Sequence, residues 1–185
     1  VPLRIEPERF TPEYPDPAKG KVTIVHAPSN RGVKGTKYIH SAVENLKKQY
    51  DIEYILVENM TQNEAFKEYQ KADIIVDQIL GGSYGVFSIE AMAMGKPVIT
   101  YITDEMIKTF PDELPIVSAS PLNIQEEIEK LINDGQIRHD LGVKGRKYIE
   151  TYHDCKKNAK VMAKIYEGTA NKTKGKDAFE EVKEL

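Results

Sequence analysis

Residues 81–99 read Gly-Gly-Ser-Tyr-Gly-Val-Phe-Ser-Ile-Glu-Ala-Met-Ala-Met-Gly-Lys-Pro-Val-Ile. The order is a glycine-rich loop, an apolar helix carrying one carboxylate, a glycine stop and a buried strand. Glycines let the backbone come close to a ligand, and the free N–H groups of a helix start favour an anion. The helix expected over 86–94 is apolar almost all round, so it belongs in the interior. Glu90 sits in its middle, where a carboxylate is costly unless it is paired or hydrogen-bonded. A pair of sugar hydroxyls would supply such bonds. The loop and Glu90 together therefore form a candidate site for a ligand with a phosphate and a ribose. The same residues also fit an ordinary turn before a helix with Glu90 at its exposed edge, and the pattern alone does not separate the two.

A second loop, 26–35, reads His-Ala-Pro-Ser-Asn-Arg-Gly-Val-Lys-Gly and joins the first expected strand to its helix. It gathers Arg31, Lys34 and Lys37 near a helix N-terminus, the end where the macrodipole disfavours cations. Solvation of the side chains relieves the mismatch, and so does an anion such as a diphosphate lying between them and the helix start. Two loops from different strands, both shaped for phosphate, favour the anion.

These loops need a frame. Apolar runs predict strands over 22–26, 52–57, 73–77, 97–102 and 114–117. Helical periodicity predicts helices over 36–50, 63–71, 86–94 and 121–133, then 137–151, weakened by Gly142 and Gly145, and 154–166. Short buried strands alternating with helices imply an α/β fold, a Rossmann-like doubly wound parallel sheet with additional C-terminal helices. Strand order 3-2-1-4-5 would bring together the loops after strands one, three and four, at 26–35, 78–85 and 103–105. Residues 1–20, rich in proline, read as a linker or wrapping segment, 21–167 as the ligand-binding domain with its C-terminal helices, and 168–185 as a polar tail that frays or extends as a surface helix.

A length of 185 residues suits one domain with a full core, and 40% hydrophobic with 30% charged residues describes a globular chain. The net charge of −3 gives no basic footprint for nucleic acid. The apolar runs are too short to span a membrane, no signal peptide is read, and a start at Val1 indicates an excised fragment. Cys155 is the single cysteine, which leaves no internal disulfide or thiolate metal site and makes the cytoplasm the default compartment. His26 reads as a site residue or a satisfied core histidine, and Asp77 as an acid that meets the loop or, in preference, simply caps the strand end. His139 and His153 read as residues on solvated helix faces. Tyr69, Tyr148 and Tyr166 fit helix packing. No Ser-His-Asp or Cys-His arrangement can be argued.

Residues 82–99 resemble the carboxylate-bearing donor motif of retaining GT-B glycosyltransferases of the GT4 group. Residues 26–35 resemble the Lys-Gly loop of those enzymes, and Val-Pro-Leu-Arg-Ile-Glu-Pro-Glu-Arg-Phe-Thr-Pro at 1–12 resembles their linker into the C-terminal domain. The likeness covers roughly residues 1–167 and is most specific over 90–99. It implies the C-terminal, donor-binding half of a two-domain enzyme that moves a sugar from a nucleoside diphosphate sugar to an acceptor, with retention. Glu90 then binds the ribose, and Gly82, Ser83, Tyr84 and Gly85 form the loop against the phosphates and sugar. Lys34, with Gly35 and Arg31, meets the diphosphate, and Glu58 and Asn59 lie where the base is contacted. The nucleotide sugar is substrate, with no cofactor and no metal, and no residue is assigned a catalytic role. The acceptor, a sugar, glycan or lipid, would be held by an N-terminal domain outside this chain, so the fragment alone should not turn over. Cytoplasmic placement, with or without contact to the inner membrane face through that domain, goes with this reading.

Two departures from the pattern stand out. The family carries a second glutamate, for the transferred sugar, where this chain has Gly82. Its phosphate-binding arginine also lies farther from the lysine than Arg31 does from Lys34. A nucleotide-binding or regulatory module that has lost transfer is the alternative. An NAD-dependent Rossmann enzyme is weakened by the lack of a Gly-x-Gly-x-x-Gly turn after the first strand.

Overall fold

Runs of three to five mostly β-branched residues lie between amphipathic stretches all along the chain, and each run becomes a parallel strand. The computed structural model describes residues 3–170. In order, the elements are β1 (Val22–His26), the single turn α1 (Arg31–Lys34), α2 (Thr36–Leu46), β2 (Ile52–Leu56), α3 (Gln62–Lys71), β3 (Ile74–Val76) and α4 (Val86–Ala93). After these come β4 (Val98–Thr100), α5 (Asp104–Ile107), β5 (Ile116–Ser118), α6 (Ile124–Asn133), α7 (Gly135–Tyr152) and α8 (Cys155–Ala170). Of the expected polar tail, residues 168–170 continue α8 and 171–185 lie outside the described residues.

All five strands run parallel in the order β2-β1-β3-β4-β5. The expected order 3-2-1-4-5 is thereby corrected: β3 lies beside β1, with Ile24 opposite Ile74 and His26 opposite Val76. Burial explains the choice. Ile74, Ile75 and Val76 are apolar on both faces and fully buried, which demands a neighbour on each side. β2 carries Glu53 and Tyr54, has one fully buried residue, and suits an edge.

Alternate strand residues feed two cores. Ile24, Ile74 and Ile99 pack under Ile39 and Leu46 of α2 and Ile128 of α6. Val25, Ile75 and Val98 pack under α4 and α7, through Ile89, Met92 and Ile149. The two glycines expected to weaken α7 let it approach α4 instead. A Cβ on Gly142 would lie 2.2 Å from the Gly95 carbonyl oxygen, so only glycine permits this contact.

The proline-rich N-terminal segment lies on this second layer. Ile5 forms a single parallel bridge to Asp154. Arg146 Nη1 of α7 donates to the carbonyls of Pro7 at 3.0 Å, Phe10 at 2.7 Å and Ala93 at 2.7 Å, joining that segment to the end of α4.

Candidate functional site

β1 and β3 are parallel neighbours, and the chain leaves them toward opposite sides of the sheet, to β2 and to β4. Open α/β sheets place ligands at such a switch point, outside the carboxyl ends of the strands. The loops that meet there are the two singled out from their residue types.

The first loop is braced against the second. Asn30 Oδ1 caps α1, accepting from Gly32 N at 2.9 Å and Val33 N at 3.1 Å. The Lys34 carbonyl accepts from Ile79 N at 3.2 Å. Lys34 Nζ lies 2.5 Å from Asp77 Oδ1, and the other Asp77 oxygen accepts from Ser88 Oγ at 2.6 Å. Asp77 is fully buried, so the expectation that it merely caps β3 is corrected: its carboxylate joins both loops and the first turn of α4. His26 is a satisfied core histidine. Its Nδ1–H donates to the Val76 carbonyl at 2.8 Å and its Nε2 accepts from Thr36 Oγ1 at 2.9 Å.

In the second loop, the backbone N–H groups of Gly81 through Ser88 find no acceptor among the described residues. They open into α4, whose N-cap Gly85 is extended and would carry a Cβ into empty space. Ser83 is fixed by its carbonyl, which accepts from Gln78 Nε2. Gly82 is left-handed at φ 75, and a Cβ there would stand 3.0 Å from Thr103 Cγ2. A glutamate at 82 would therefore be strained whatever its use.

Glu90 is half-buried, and its carboxylate has no hydrogen bond or ion pair among the described residues. Desolvation raises its pKa above 4.5. Helical spacing puts it on one face with Val86 and Phe87, and the Phe87 ring stands 4.8 Å from that of Tyr69 on α3. The Tyr69 hydroxyl is pushed up to about 12, by burial first and then by the charges of Glu90 and Asp77. Glu90 thus carries a partly desolvated carboxylate without a partner among the described residues, on the helix that the unpaired amides of 81–88 lead into.

Arg31 and Glu58 are brought together, but with each other. Arg31 Nε donates to Glu58 Oε1 at 2.7 Å and its Nη2 to Glu58 Oε2, an ion pair that spans the loops after β1 and β2. Asn59 follows it, exposed and left-handed at φ 57. Tyr84 turns away from the crevice. Tyr148 OH donates to Tyr84 OH at 3.3 Å, Tyr84 OH donates to His153 Nε2 at 3.1 Å, and His153 Nδ1–H donates to the Leu3 carbonyl. His153 is thus buried, and His139 donates to the Pro15 carbonyl at 3.0 Å. The solvated face expected for His153 is corrected, because the N-terminal segment covers it, while His139 stays partly exposed against that segment. A cavity of about 1110 Å³ lies beyond Tyr84, lined by Leu3, Met106, Phe110, Tyr148 and Val161 among others. It includes Ser83 and Tyr84 but neither Lys34 nor Glu90.

Burial lowers the pKa of both His26 and His153 below 6.5. The unfolded chain then binds protons that the folded chain refuses, so their contribution to stability is intact above about pH 6.5 and is lost on acidification. The urea midpoint should fall between pH 7.5 and 5.5 in Glu90→Gln, which lacks the carboxyl whose raised pKa acts in the opposite sense. A midpoint that is flat in that variant would contradict the burial of the two rings.

Among the described residues no helix is long and apolar enough to cross a membrane, and no three His, Cys, Asp or Glu side chains gather to hold a metal.

This arrangement defines an α/β domain with a Lys-Gly loop and a glycine loop at one switch point, and solved structures share its fold. The C-terminal domain of the group 1 family glycosyl transferase LpcC from Francisella tularensis matches at TM-score 0.61 and 20% identity, over 82% of this chain and 99% of that one. The sucrose-phosphate synthase of Thermosynechococcus elongatus matches at TM-score 0.67 and 18% identity, over 92% of this chain and 52% of that one. S. aureus TarM, solved as a point mutant in complex with fondaparinux, α-GlcNAc-glycerol and UDP, matches at TM-score 0.55 and 16% identity, over 83% and 35%. The fold is that of GT-B C-terminal domains. The chain spans about half of the synthase and a third of TarM. No family model and no curated protein matches its sequence.

Proposed function

We propose that this chain is the nucleotide-sugar-binding domain of a glycosyltransferase that moves a sugar from a nucleoside diphosphate to an acceptor, with retention. The observation that carries the reading is the row of unpaired amides from Gly81 to Ser88, which leads into the helix bearing the unpartnered Glu90. A diphosphate fits the amides and a ribose hydroxyl pair fits the carboxylate. Lys34 supplies a positive charge across the same crevice. Preorganised donors of this kind favour the charge that develops on a leaving diphosphate, which is the principal electrostatic demand of glycosyl transfer. The UDP in the TarM structure supports a nucleoside diphosphate as the ligand class. The acceptor would be bound by a second domain, and with Gly82 in place of a carboxylate the transferred sugar would be held by other groups.

Calorimetric titration with UDP, GDP, ADP and NAD tests the reading. One nucleoside diphosphate is expected to bind, and NAD is expected not to. Binding of NAD alone, or of none of the four, would overturn it.

A further inference from the structure

α1 is a single turn with no buried residue, a poor anchor for the lysine at its end. Lys34 is nevertheless held inward, its side chain only 13% exposed, by the fully buried carboxylate of Asp77. The second oxygen of that carboxylate holds Ser88, in the first turn of α4. One side chain thereby sets the place of the ammonium relative to the unpaired amides that open α4. The backbone brace from Ile79 N to the Lys34 carbonyl fixes the stem of the same lysine.

We infer that Asp77 is a positioning residue: it directs Lys34 into the crevice between β1 and β3, ahead of any ligand, at a fixed distance from the α4 amides. The inference rests on the nucleotide reading only for the identity of the anion. Lysine has a flexible four-carbon stem and three N–H donors. Asp77 engages one donor and leaves the others for a diphosphate. Without Asp77 the ammonium would move into solvent and would have to be recovered on binding. The cost would fall on phosphate-bearing ligands and not on the nucleoside part.

The test uses the 185-residue chain labelled with ¹⁵N-lysine. A slowly exchanging ammonium signal, assigned to Lys34 by its loss in Lys34→Ala, is expected in the wild type and should vanish in Asp77→Asn. Affinity for whichever of UDP, GDP or ADP binds the wild type most tightly should fall tenfold or more in Asp77→Asn, with the matching nucleoside unchanged. Persistence of the signal, or an unchanged diphosphate affinity, overturns the inference. If Asp77→Asn folds poorly, Lys34→Ala/Asp77→Asn replaces it. This double variant removes both charges and should melt above Lys34→Ala while binding diphosphate no more weakly than that single variant. A further loss would show that Asp77 acts other than through Lys34 and would also overturn the inference. Should no diphosphate bind the wild type, the nucleotide reading fails, and the ammonium signal alone decides whether Asp77 places Lys34.

Discussion

Glu90→Gln is expected to weaken nucleoside diphosphate binding at least tenfold, about 1.4 kcal/mol, with no loss of melting temperature. The two halves of this result have one cause. The carboxylate is half-buried without a partner, and its pKa is raised by desolvation. The folded chain therefore holds that proton to higher pH than the unfolded chain does, and ionisation works against folding as pH rises through the interval. Near neutrality the charge is a liability to the fold that a ribose hydroxyl pair would relieve. Glutamine keeps the shape, removes the liability, and offers weaker acceptance to the hydroxyls. Calorimetry and a thermal melt on the same two proteins read both effects. Unchanged affinity would leave Glu90 a tolerated half-buried carboxylate with no part in binding.

Lys34→Ala has the second large effect, and here binding and stability fall together. A hydrogen bond to a charged group contributes about 1.5–3 kcal/mol, so nucleoside diphosphate should bind roughly tenfold to more than a hundredfold more weakly. The free nucleoside, which lacks the anion, should bind as before. The melting temperature should also drop, because Asp77 is left as a fully buried charge without its cation. Removing one member of a buried pair costs about 3–5 kcal/mol. Equal losses for nucleoside and diphosphate would indicate a general disturbance and remove Lys34 from the site.

Local pattern made much of this legible. The strand at Val22–His26 is found where the sequence puts it, and the glycine loop does open α4. The motif most specific to the resemblance serves the scaffold as well as the site: Gly95 turns the chain left-handed, and Lys96 donates to the Gln70 carbonyl at 2.7 Å near the end of α3. What stayed hidden is long-range. Strand order follows from which runs are buried on both faces, and sequence order does not reveal that. Arg31 and Glu58 are 27 residues apart and Lys34 and Asp77 43 apart, so neither ion pair leaves a local signature. Asp77 had one available signal, an acid directly after Ile-Ile-Val, where a carboxylate must find a partner. The burial of His153 depends on a segment 150 residues upstream. The ten-residue spacing of His26 and Thr36, by contrast, is short enough for the loop between them to close their contact.

The union of the two ends of the described chain has a thermodynamic consequence. Ile5 N–H bonds the His153 carbonyl at 3.0 Å and Cys155 N–H bonds the Ile5 carbonyl at 2.9 Å, while Arg146 holds three carbonyls drawn from the N-terminal segment and α4. Release of the N-terminal segment would leave the largely buried Arg146 guanidinium with Glu150 and the Ala93 carbonyl but without the other two carbonyls, and would uncover the buried His153. Opening of that segment is therefore coupled to the α4–α7 pair and costs more than the fraying of a free end. Tension applied to the N-terminal segment would be felt first at the end of α7, through His153 and Arg146.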